Sequence, residues 1–204
     1  DQGIAGFLDH VVLSDFEAFR RLIIDETGND VPVIQRESDK APTGQLDDNL
    51  LGGIDTLIVV SLDHFRTAQQ ASRGEIELIK GFLQRESRCV VVCPHHDIGA
   101  NGVLATQQSE LEHHGDRLVP AQQRIGGFAR SLLQGLGLLV ENTFGLNPAH
   151  APDGLPAPLV VNRDLDTCGI LKGVNTFNLH PHLPHFSMPV GANSGLELLA
   201  QQLI

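Results

Sequence analysis

At 204 residues, 41% hydrophobic and 19% charged, the chain is long enough to bury a sizeable core as a single domain over 1–204 without disulfide staples. Fourteen basic residues stand against 25 acidic ones, and the formal charge of -11 argues against nonspecific binding to nucleic acid or to an anionic membrane. No apolar run approaches the roughly 18 to 20 residues of a membrane span, and three cysteines, an odd number, predict a reducing, cytoplasmic setting.

Ser14 reads as an N-cap, with Glu17 completing a capping box. The helix that follows is predicted from about Asp15 to Glu26, with Phe16, Phe19, Leu22 and Ile23 inward and Gly28 at its end. Val31–Gln35 is a short candidate strand, and Asp39–Asn49, polar and carrying Pro42 and Gly44, a loop. Ile54–Val60 and Arg88–Cys93 are β-branched runs bounded by Gly53 and Pro94. Neither alternates apolar with polar residues, the pattern of parallel strands covered on both faces. Between them, Gly74–Gln84 spaces Ile76, Ile79 and Leu83 by three and four, with Leu78 and Phe82 widening the stripe. Strand, helix and strand together form a βαβ unit, a crossover that is almost always right-handed.

Further along, Arg124–Gly137 forms a helix through Phe128, Leu132, Leu133 and Leu136, and Leu138–Glu141 begins an extended piece. Four prolines make 145–158 irregular. Pro158–Asn162 and Thr176–His180 are predicted strands, and Gly195–Leu203 a last helix. An alternating chain of this length most simply folds as a three-layer, flavodoxin-like α/β sandwich around a mostly parallel sheet.

Ligands of such sheets bind beyond the carboxyl ends of the strands. Three segments collect there: Ser61-Leu62-Asp63-His64, Cys93-Pro94-His95-His96-Asp97, and Asn178-Leu179-His180-Pro181-His182-Leu183-Pro184-His185. They hold six of the ten histidines, and Asp63, His64, His95, His96 and Asp97 are the candidate ligand-binding residues. The simplest alternative is that these are ordinary loop residues shaped by prolines.

Three chemistries suit the cluster. Cys93, at a strand end facing a helix N-terminus, is expected to have a depressed pKa and to act as a thiolate nucleophile; a small buried hydrophobe is the structural alternative. His95, His180 and His182 offer imidazole ligands to zinc or another divalent metal, although no HExxH or paired CxxC is present. Cys89 and Cys93 cannot share an ion, because residues four apart on a strand lie about 13 Å apart. Finally, protonating all ten histidines moves the charge from -11 to about -1, which predicts lower solubility near pH 5. No GxGxxG, GKS/T or GxSxG motif occurs, and Cys168 has no readable partner.

Taken together, "GIDTLIVVS", "GEIELIKGFLQ" and "RCVVVCPHHD" resemble the class I glutamine amidotransferase-like fold, including its trehalose-utilisation (ThuA-like) branch, mainly over residues 50–100. The resemblance implies that Cys93 matches the nucleophile and His96 the motif histidine. It also implies His180 as the base, with His182 replacing the orienting glutamate. The family elbow is G-x-C-x-G, whereas Val91 and His95 flank the cysteine here, and bulky residues oppose so strained a turn. The resemblance therefore implies a shared scaffold without glutaminase activity, binding a small polar ligand or a protein partner at the carboxyl edge of the sheet. Two alternatives stay open. One is a hydrolase using Cys93 and His180, or a divalent metal held by His95, His180 and His182. The other is an assembly module in which an apolar face over 195–204 packs on a copy of itself.

Overall fold

The computed structural model describes residues 16–36, 46–63, 69–94, 126–146, 149–175, 183–189, 191 and 195–203. The chain divides into two compact units, Asp1–Gln45 and Leu46–Ile204.

In the first unit, helix α1 spans Phe16–Thr27. It stops where expected: Gly28 takes φ 71, and its N–H donates to the Ile24 carbonyl at 2.7 Å. Ser14, the expected cap, lies outside the described residues. The expected inward face is only partly covered, since Phe16 and Ile23 are half-buried while Phe19 and Leu22 are 44% and 56% exposed. The strand expected over Val31–Gln35 does not form. Side chains, with no ladder partner, take the backbone groups where that strand would begin. Arg20 Nε donates to the Val31 carbonyl at 2.8 Å, and the Asp30 carboxylate accepts from the Val31 N–H at 2.9 Å.

The second unit opens with a five-residue helix, α2 (Asp48–Gly52), in which the Asp47 carboxylate accepts from the Leu50 N–H at 2.8 Å. The βαβ unit follows as β1 (Thr56–Ser61), α3 (Arg73–Leu83) and β2 (Cys89–Pro94). The strands are parallel and in register from Thr56↔Cys89 to Ser61↔Pro94. Helix α3 begins with a reciprocal capping box. The Ser72 hydroxyl accepts from the Glu75 N–H at 3.2 Å, and the Glu75 carboxylate accepts from the Ser72 N–H at 2.9 Å. Ile79 and Phe82 are buried, but Leu83, expected inward, is 42% exposed, because one residue beyond Phe82 the helix has turned by about 100°. Arg88, ion-paired with Asp55 at the amino ends of the strands, also lies over the Phe82 ring, 5.9 Å from its centroid.

Helix α4 (Gly127–Gly135) buries Phe128, Ala129 and Leu132. Its end is a Schellman motif: Gly137, at φ 84, donates to the Gln134 carbonyl and Leu138 donates to that of Leu133 at 2.8 Å. Ile79, Phe128 and Leu132 form a core cluster against which Leu57 and Val59 of β1, Val90 and Val92 of β2, Ile76 and Leu136 pack. These inward strand residues alternate with Thr56, Ile58 and Val60 on β1 and with Cys89, Val91 and Cys93 on β2. On that second face Ile58 and Val91, register partners, are 38% and 41% exposed. Among the described residues, α3 and α4 cover the inward face.

The rest of the unit pairs antiparallel. Strand β3 (Glu141–Leu146) runs against β5 (Leu183–Ser187), with an irregularity between Thr143 and Leu146, and β4 (Val160–Val161) runs against β6 (Ala200–Gln201). The described residues thus make a mixed α/β chain with one parallel and two antiparallel two-stranded sheets. No helix forms over Gly195–Leu203. Its carbonyls serve other segments instead: Asn162 donates to Leu199 and Ala149 to Leu203, each at 2.8 Å. The strand expected at Thr176–His180 lies outside the described residues. Among the described residues no helix is long and apolar enough to cross a membrane.

Candidate functional site

Because β1 and β2 are parallel and end on the register pair Ser61↔Pro94, the segments that follow them leave from one rim. The best-defined structure on that rim is a non-local helix cap. Helix α4 begins at Gly126, in the left-handed region at φ 76, and Gly126 has no side chain to cap it. The carboxyl end of β1 supplies the missing acceptors. The Ser61 hydroxyl accepts from the Ala129 N–H at 3.0 Å, Asp63 Oδ2 accepts from the Phe128 N–H at 3.2 Å, and the Asp63 carbonyl accepts from the Gly126 N–H at 2.9 Å. Ser61, buried, also donates to Asp63 Oδ1.

This arrangement has a clear physical purpose. The first N–H groups of a helix have no partner within it, and a carboxylate placed there is favoured by the helix dipole. A Cβ on Gly127 would stand 3.0 Å from the Gln69 carbonyl and 3.2 Å from Asp63 Oδ2, so the close approach of the two segments calls for glycine. Both carboxylate oxygens of Asp63, expected to contact a ligand, are engaged within the protein.

Cys93 is placed differently from the sequence expectation. It lies within β2 as the register partner of Val60, on the face opposite Ser61 and the inward valines. It therefore does not share the α4 N-terminus with Asp63. Its side chain is exposed over part of its surface, yet the protein around it removes enough water to push the thiol pKa up from the usual range. The direction is opposite to the expected depression, because desolvation favours the neutral thiol over the thiolate.

His64, His95, His96, Asp97, His180 and His182 lie outside the described residues. Among the described residues no three His, Cys, Asp or Glu side chains gather closely enough to hold a metal ion. Away from the rim, Asp166 accepts from the Ile170 and Leu171 N–H groups at 2.7 and 3.0 Å and so fixes the turn that bears Cys168. Beside that turn is an open cavity of about 380 Å³ lined by residues including Leu165, Cys168, Ile170, Glu197 and Leu199.

In the sequence Ser61 stands out only as part of a segment, and Gly126 and Gly127 have no evident role. One signal was available. The helix expected from Arg124 starts instead at Gly127, and a start at Gly-Gly with no Ser, Thr, Asp or Asn beside it must find its cap elsewhere in the chain. Comparison with known proteins adds no relationship: no family model, no curated protein and no solved structure matches this chain.

Proposed function

We propose that this chain is an amidotransferase-like α/β domain, built on a three-layer flavodoxin-like plan, that lacks glutaminase chemistry. In this reading it binds a small polar ligand or a protein partner at the carboxyl edge of its parallel strands. The observation that carries the reading is the in-register end of β1 and β2 at Ser61↔Pro94, from which the segments bearing His64 and His95–Asp97 both depart. In it, Ser61 and Asp63 are positioning residues that lock the start of α4 to the rim, and the histidines and Asp97 contact the ligand.

The loss of glutaminase chemistry is supported by the setting of Cys93. A nucleophile of that kind stands on a strained turn beyond the strand, where a base and backbone N–H groups can reach it. Cys93 is instead paired within β2, flanked at two residues by Val91 and His95, and burial pushes its thiol pKa up.

Alkylation kinetics test this directly. With iodoacetamide at pH 7, Cys93 is expected to react no faster than Cys89 or Cys168, and glutamine is expected to release no ammonia. Selective fast labelling of Cys93, abolished in His180→Ala, would overturn the reading in favour of a cysteine hydrolase. Elemental analysis separates the metal alternative, in which one zinc per chain would be lost on replacing His95, His180 and His182.

A further inference from the structure

We draw no further inference here: the strongest candidate, the outward face of the β1–β2 ribbon that carries Ile58, Val60 and Val91, is an apolar surface for which nothing in the structure shows what covers it.

Discussion

The contact between α3 and α4 is narrow enough at one point to make a sharp prediction. A Cβ built on Gly135 would lie 2.8 Å from Ile76 Cγ1 and 3.1 Å from Cγ2, and closer still to Cδ1. Carbon atoms pack best at about 3.5–4.0 Å, so several tenths of an ångström must be opened. Rotation about χ2 clears Cδ1 alone. Clearing Cγ1 and Cγ2 needs a χ1 change, which a β-branched residue on a helix resists, or a displacement of one helix. Overpacking of this kind costs about 1–3 kcal/mol. Alanine in place of glycine returns at most about 1 kcal/mol of helix propensity. Gly135→Ala is therefore expected to destabilise by up to about 2 kcal/mol, against the usual sign for a helical glycine. In the Ile76→Ala background the clash is absent and the same change should be neutral or mildly stabilising. Urea unfolding followed by far-UV circular dichroism measures both, since the chain has no Trp or Tyr for fluorescence. A stabilising Gly135→Ala in the otherwise unchanged protein, or strict additivity in the double-mutant cycle, would refute the close packing.

Other perturbations probe the caps and the charges. Ser61→Ala strips the Ala129 N–H of its acceptor in a buried setting and should cost about 1–3 kcal/mol in the same unfolding assay. Asp63→Asn, which keeps an oxygen for the Phe128 N–H, should cost less than Asp63→Ala; equal effects would show that the cap hydrogen bond contributes little. Glu75→Ala removes the acceptor shared by the Leu46 N–H and the Ser72 N–H and hydroxyl, and a loss of about 1–3 kcal/mol is expected, with Glu75→Gln milder. On α1, hydrogen bonds from Arg21 and then Arg20 hold the Glu17 carboxyl below the usual carboxylate range. Its contribution is thus present above the ordinary glutamate pKa and disappears as pH falls through the depressed value. An NMR titration should find Glu17 below a free glutamate and should find the difference shrinking in high salt; no difference at low salt would refute the pairing.

Much of the second unit's helix and strand order is legible because its cause is local. The β-branched runs ending at Ser61 and Pro94 mark their own strands, and Gly28 and Gly137 stop their helices through backbone geometry that neighbouring residues cannot easily adopt. The errors fall where a local pattern competes with a distant partner. Val31–Gln35 has strand-forming residues but meets the Arg20 side chain before any strand. Gly195–Leu203 has a helix-like spacing of leucines, yet its backbone completes pairs with Asn162 and Ala149, residues about 40 to 50 positions away. Coverage of the strands is hard to read from sequence for a related reason. Continuous apolar residues show that a strand prefers burial, but they do not say which segment provides it.

At the candidate site, the same limit separates residue type from residue role. Asp63 stands out in the sequence as a ligand-binding acid and Cys93 as a nucleophile, because both fall at strand ends. Chemistry, however, depends on which group has an unused valence. Asp63 Oδ1 and Oδ2 already hold Ser61 and the start of α4, while Cys93 sits one residue earlier in register than Pro94 and faces the other side of the ribbon. The two-residue period places Cys93 on the face opposite Ser61, whose hydroxyl holds Asp63. In the cysteine-hydrolase alternative the base for Cys93 is His180, which is why the His180→Ala labelling experiment discriminates more sharply than any substitution at Asp63.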